Sequence, residues 1–215
     1  MTDIKELIRT ERQALVEFLE TLTPEEWATQ SLCGEWTVQD VAAHLAVASS
    51  MSAPAVMGSF VRSGFRINRS NAENARIWAQ RGTDAILEQL RTVTANDAKP
   101  IGVPPRAPLA DVLVHGLDIR RPLGKAGLPL DPEAFVLAAD WTAGLRWPST
   151  VLIGGSVRER IAGVRLVADD VEWSYGDGPE AHGSAETMLM LLYGRPIGPT
   201  ELTGHGAQTI YARLA

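Results

Sequence analysis

Residues 111 to 124 read DVLVHGLDIRRPLG and place Asp111, His115 and Asp118 at offsets of four and three inside an apolar run. On a helix, at about 100° per residue, the three side chains project within about 60° of one another. Val112, Val114 and Ile119 flank them, so the row is a polar stripe within an apolar face. Burying carboxylates there is costly unless they are paired, hydrogen-bonded or bound to a cation. The stripe needs a partner, and a second helix of one bundle is the element able to bring it.

The stretch WTVQDVAAHLAVA, residues 36 to 48, offers that partner in His44. Thr37 can cap this helix with Asp40 at its third position, and Trp36 and Val41 sit at the two ends of a hydrophobic staple. His44 aligns with Val41, Leu45 and Ala48, which puts it on the buried side. Together His44, Asp111 and His115 make two nitrogens and one carboxylate. That set suits Zn²⁺, Ni²⁺ or Fe²⁺ and leaves coordination positions open to water or substrate. Asp118 then orients a histidine as a hydrogen-bond acceptor, or ligates in place of Asp111. Other readings of the same residues stay open. His44 alone also fits a hydrogen-bonded core histidine, Asp111 fits an acid in the first turn of a helix after Pro108, and Asp118 fits a salt bridge to Arg121 or Arg120. An Asp-x3-His pair has low specificity as a motif.

Working outward, the first two thirds of the chain reads as helices. Asp3 with Glu6 resembles a capping box, and Ile4, Leu7, Ile8, Leu15, Phe18, Leu19 and Leu22 repeat at threes and fours. Thr23, Pro24, Glu25 and Glu26 start a short helix around Trp27. A single helix is expected from about Asn71 to Val93, then a proline-rich loop from about Ala95 to Pro108. Asp131 with Pro132 opens a further helix reaching about Leu145. Near Pro148 the pattern changes. GVRLVADDVEWSYGDG, residues 163 to 178, alternates around Asp169 and Asp170 like a hairpin. GSAETMLMLLYGRP, residues 183 to 196, is a short helix capped by Ser184 and closed by Gly194 and Pro196. The tail TELTGHGAQTIYARL supplies a last strand and a short helix. No period of 20 to 50 residues recurs. The fold class is mainly α: an antiparallel helical bundle over 1–148 and a small α+β domain over 149–215.

Composition narrows the function. With 215 residues and a formal net charge of −6, the chain is long enough for a substantial core and lacks the clustered Lys and Arg of a general nucleic-acid binder. The opening MTDIKELIRTERQ is charged and periodic, unlike a signal peptide, and no apolar run approaches a membrane span of about 18 residues. A cytoplasmic protein without membrane or nucleic-acid partners is expected. The single cysteine, Cys33, agrees with a reducing compartment and reads as a small packed residue. His182 and His205 lie in Gly-rich turns and read as exposed loop residues.

CGEWTVQDVAAHLA at 33–46, DVLVHGLDIRRPLG at 111–124 and the tail from Gly163 to Pro196 together resemble the mycothiol-dependent maleylpyruvate isomerase family. That family is part of the wider DinB-like four-helix-bundle superfamily, and the resemblance spans nearly the whole chain. It implies an N-terminal bundle holding a divalent metal through His, an acid and His, matched here by His44, Asp111 and His115, followed by a smaller α+β domain. The family pattern has Glu where this chain has Asp111, one methylene shorter. The resemblance also implies mycothiol as cofactor and a small electrophilic substrate, with the thiol as nucleophile in an isomerase or S-transferase. Arg120 and Arg121 are then candidates for binding carboxylates of the thiol or substrate. A noncatalytic metal- or small-molecule-binding protein is the alternative, because fold does not fix function. A lipid-binding module would need an apolar tunnel, whereas MLMLLY reads as core against the hairpin.

Overall fold

Helix α1 (Ile4–Glu20) begins where the Asp3 carboxylate accepts a hydrogen bond from the Lys5 backbone N–H, and it buries Leu7, Ile8, Leu15, Val16 and Leu19 along one face. The computed structural model describes residues 2–125 and 129–214. The chain divides into two compact units, Met1–Ala126 and Gly127–Ala215.

In the first unit α2 (Pro24–Trp27) and α3 (Val38–Ala48) both open with reciprocal capping boxes, Thr23 with Glu26 and Thr37 with Asp40. Each box satisfies two backbone donors that a helix start leaves without partners. Helices α4 (Ala53–Arg62), α5 (Ile67–Ala79), α6 (Thr83–Ala95) and α7 (Arg106–Arg120) come next. Helix α1 packs on α6 and α7, and α3 packs on the same two, closing a ring of four with α5 laid against α3. Leu15, Leu19, Val38, Val41, Ile86, Leu90, Val112 and Ile119 share its core.

Two differences from the sequence expectation have clear causes. The helix expected over 71–93 is two helices, α5 and α6, because Gly82 at φ 87° and ψ 166° turns the chain between them. That backbone region is open essentially to glycine alone. Helix α4 carried no readable signal because its polarity is inverted. Inside, Ser59 Oγ lies 2.7 Å from Ser70 Oγ and donates to Asn74 Oδ1 at 3.0 Å on α5. Outside, Val56, Met57 and Val61 are exposed.

The second unit starts with α8 (Pro132–Ala143), capped by the Asp131 carboxylate accepting from the Ala134 N–H. A 3-10 turn at Ser149–Ile153 and α9 (Val157–Arg160) lead into strands β1 (Arg165–Ala168), β2 (Ser174–Tyr175) and β3 (Glu180–Gly183), then α10 (Ala185–Leu192) and α11 (His205–Leu214). The sheet order is β2-β1-β3. Leu166 faces Tyr175 across the antiparallel pair and Ala181 across the parallel pair. The expected hairpin is thus present, with a third strand added. In the tail, Thr203 makes an isolated bridge to His182 in place of the expected strand. Helix α10 packs on α8 and β1 as core.

The units divide some twenty residues before the expected boundary at 148, because α8 is bound to the strand region of the second unit. Phe135 meets Trp173 edge to face at 5.4 Å, the Trp173 indole N–H donates to Asp140 at 2.9 Å, and the Tyr175 hydroxyl donates to the Ala143 carbonyl at 3.2 Å. Among the described residues, no helix is long and apolar enough to cross a membrane.

His205 is exposed at the start of α11. His182 stands on β3, not in a free turn, with Nδ1 3.1 Å from Asp169 and Nε2 3.1 Å from Glu180. Those hydrogen bonds, Asp169 first, raise its pKa above the ordinary histidine value. A raised folded pKa gives stability that is fully present below the unfolded value of about 6.5 and lost as pH rises through the folded value. His182→Gln should therefore lower the melting midpoint at pH 5.5 more than at pH 9, compared with wild type in the same buffers. Gly82→Ala should cost about 1–3 kcal/mol through its backbone conformation, read as a lower urea midpoint at unchanged slope.

Candidate functional site

The ring of helices brings the middle of α3 against the middle of α7. The Thr37 and Asp40 cap fixes where α3 starts: the Thr37 N–H and hydroxyl both donate to Asp40 Oδ2, at 3.0 and 2.9 Å. One and a half turns on, His44 Nε2 lies 3.6 Å from Asp111 Oδ2. His115 Nε2 lies 3.4 Å from Asp111 Oδ1. The two imidazoles stand edge to face with centroids 5.2 Å apart. One ligand atom from each of His44, Asp111 and His115 falls within 4.8 Å of the others.

Those separations fit an ion better than they fit hydrogen bonds. A tetrahedral centre with bonds of about 2.1 Å sets neighbouring ligand atoms about 3.4 Å apart. A charge-assisted N–H to carboxylate bond is about 2.7–2.9 Å. The contact between His115 Nδ1 and Asp118 Oδ2, at 2.8 Å, is of the second kind. The Asp118 side chain has no exposed surface. It occupies the far nitrogen of His115 and leaves Nε2 turned toward Asp111, the geometry of an orienting acceptor.

Charge at the site is strongly organised. Burial pushes the Asp111 carboxyl up, but the neighbouring imidazoles of His115 and then His44 more than reverse this and hold it well below the usual range. For His115, burial lowers the pKa, and the opposing pull of Asp111, Asp118 and Cys33 raises it well above the ordinary value. Two carboxylates flank the His115 imidazole, one at each ring nitrogen. An ion bound at Nε2 would take the place of a proton there. The His44 and His115 side chains are 8 % and 9 % exposed and Asp111 34 %, so solvent reaches the site on the carboxylate side.

Two neighbours escaped the sequence reading. Trp36 does pack on the core that contains Val41, as a staple would, but its ring also lies 5.2 Å from His44 and 6.3 Å from His115. Cys33, half-buried, has a ligand atom within 4.8 Å of those of His115 and Asp118, so it is a neighbour of that pair and not only packing. The tight CGEW turn just ahead of a capping box was the signal available for both. A third, Arg12, is buried on α1 and donates to the carbonyls of Val93 and Ala98 at 3.3 and 2.7 Å and to the Ser49 hydroxyl at 2.8 Å. Burial lowers its pKa, with Asp111 the largest opposing charge. Its place among apolar positions gave no warning. Arg120 is buried in the last turn of α7, its guanidinium against Gly116, and Arg121 is half-buried after it.

The family model described as the mycothiol maleylpyruvate isomerase N-terminal domain matches residues 8–97, which include Arg12, Cys33, Trp36 and His44. No protein of curated function matches the chain. A crystal structure of a mycothiol-dependent maleylpyruvate isomerase carrying a His-to-Ala mutation is similar at TM-score 0.61 and 15% identity, over 95% of this chain and 92% of that one. A second crystal structure of a mycothiol-dependent maleylpyruvate isomerase is similar at TM-score 0.53, with the same identity and coverage. These likenesses extend the shared fold through the α+β unit, while the family match lies within the N-terminal unit.

Proposed function

We propose that this protein is a mycothiol-dependent isomerase or S-transferase for a small electrophilic substrate, with one divalent ion, Zn²⁺ first and Ni²⁺ or Fe²⁺ also suited, held by His44, Asp111 and His115. The observation that carries this reading is the spacing of the three side chains, 3.4 and 3.6 Å between ligand atoms with both imidazoles shielded from solvent. A divalent ion in such a set supplies a Lewis acid that lowers the pKa of an incoming thiol.

The chain's own groups divide the remaining work. His44 and His115 present Nε2 toward Asp111, and Asp118 holds the Nδ1 proton of His115. The exposed side of Asp111 is where a thiol and an electrophile enter. The nucleophile is the thiol cofactor, and Cys33, grouped with His115 and Asp118 and not with His44 and Asp111, borders the site. In an isomerase the thiol adduct rotates and expels the thiol, and in a transferase the conjugate leaves. Arg121, more accessible than Arg120, is the cation of that pair assigned to a carboxylate of the thiol or substrate.

Metal analysis of protein supplied with Zn²⁺ should give one ion per chain, falling sharply in His44→Ala and His115→Ala while helical content persists. Wild-type protein that takes up no divalent ion would sink the metal reading. Asp118→Asn should weaken binding about 10–100-fold and not abolish it; loss as complete as in His115→Ala would make Asp118 a ligand. Because histidine ligands must be deprotonated, affinity should rise with pH and metal uptake should release protons, measurable by calorimetry in two buffers of different ionisation heat. Mycothiol should bind the loaded protein better than glutathione and yield an isomer or conjugate with an electrophile. If neither thiol binds and no product forms, a noncatalytic binding role replaces the enzyme.

A further inference from the structure

The two histidines of the site are held in unlike ways. A ligating histidine usually donates its second ring N–H to an acceptor, which fixes the ring and its tautomer. His115 has that acceptor in Asp118 at 2.8 Å. His44 has none among the described residues, since its Nδ1 is buried without a hydrogen-bond partner there. Once Nε2 faces an ion, the proton of neutral His44 must reside on that same Nδ1. Something other than a conventional hydrogen bond has to hold the ring.

We propose that Trp36 is the positioning residue for His44, its indole doing by ring packing what Asp118 does for His115 by a hydrogen bond. The indole centroid is 5.2 Å from that of His44, with the planes tilted by 49°. An aromatic face is electron-rich and takes the positive edge or N–H of a neighbouring ring. The loop is built to keep the indole there. The Trp36 carbonyl accepts hydrogen bonds from the Ser31 N–H at 2.9 Å, the Ser31 hydroxyl at 2.6 Å and the Gln30 side-chain amide at 2.8 Å. The Trp36 N–H donates to the Cys33 carbonyl at 3.1 Å. Trp36 directly precedes Thr37, the N-cap of the helix that carries His44. Side chain and backbone of one residue thus fix both the ring and the helix start. Trp36 also stacks on His115 at 6.3 Å, but that ring keeps its carboxylate when the indole is lost.

The proposal rests on the metal-site reading for its consequence and not for its geometry, so its test has two arms. The first is imidazole NMR of the metal-free protein. His44 ring protons should carry an indole ring-current shift that disappears in Trp36→Leu, while the His115 ring N–H bonded to Asp118 persists. The second is Zn²⁺ affinity by chelator competition. Trp36→Leu should bind about 10–100-fold more weakly, as for loss of an orienting partner, and Trp36→Phe, which keeps an aromatic face, should stay within about threefold of wild type. A folded Trp36→Leu protein with wild-type affinity, or His44 ring signals unmoved by the substitution, overturns the proposal. Should the leucine variant not fold, an affinity loss in Trp36→Phe as large as that of His44→Ala overturns it, and retention near wild type with a shifted His44 ring signal supports it. Wild-type protein that takes up no Zn²⁺ defeats the metal reading, and the metal-free arm still decides the role of Trp36.

Discussion

A carboxylate without exposed surface, Asp118, sits in the middle of the bundle, and the fold around it is arranged to make that tolerable. His115 meets it at 2.8 Å. The Leu32 N–H donates at 3.1 Å to the backbone carbonyl of the same residue and so ties the loop before α3 to α7. Removing one partner of a buried charged pair typically costs about 3–5 kcal/mol, because the survivor is left uncompensated. The pair is a poor way to gain stability compared with leucines of equal volume. The pair orients His115 within α7, and the register of α7 against α3 comes from the meeting of His44 with Asp111 and from the Leu32 hydrogen bond.

The loop of residues 28–37 translates that register into the position of α3. It is knit by hydrogen bonds between neighbouring residues, Gln30 and Ser31 to the Trp36 carbonyl, Val38 to the Thr29 carbonyl, and the Thr37 and Asp40 cap, and Cys33 and Trp36 pack it on the core. Its precision is spent on two side chains, Trp36 and Cys33, which both border the histidines. Arg12 performs a similar service from α1. It joins the end of α6, the loop after it and the C-cap of α3 through three acceptors, and keeps a buried cation near the Asp111 carboxylate.

How legible each feature was in the sequence depends on how local its cause is. The helix start at Thr23, the capping box at Thr37 and the cap at Asp131 are local chemistry and appear where the sequence places them, whereas Asp3 caps α1 through the Lys5 N–H and not through the box expected with Glu6. The offsets that put Asp111, His115 and Asp118 on one face are fixed by helical geometry alone, so the stripe was visible without a structure. The pairing with His44 was reachable because a histidine on a buried face needs a partner. Trp36 was not, since its ring contacts cross between helices that periodicity treats separately. The break at Gly82 was missed because one glycine in a periodic pattern is usually tolerated, and only its φ of 87° reveals a turn. Helix α4 was missed because pattern reading assumes apolar residues face inward, and here serines do. The unit boundary was placed at the onset of strand alternation, a change in local grammar, while the actual division tracks the aromatic contacts of α8.

Asp111 is one methylene shorter than the glutamate that the resemblance implies at its place, and its reach to both imidazoles depends on how α3 packs against α7. Asp111 and His115 lie one turn apart on α7, so their relation is set by a single rigid element. His44 alone arrives from another helix, and its distance to Asp111 is therefore the distance between α3 and α7. A carboxylate one methylene shorter reaches His44 only if the two helices approach closely. Helices α3 and α7 do pack on one another, and His44 stands on the face of α3 that meets Asp111. The result is a carboxylate whose two oxygens reach both imidazoles, at 3.6 and 3.4 Å. The reach of the aspartate is thus fixed jointly by α7, which sets its relation to His115, and by the approach of α3, which sets its relation to His44: any change that moved the two helices apart would break the second contact and spare the first.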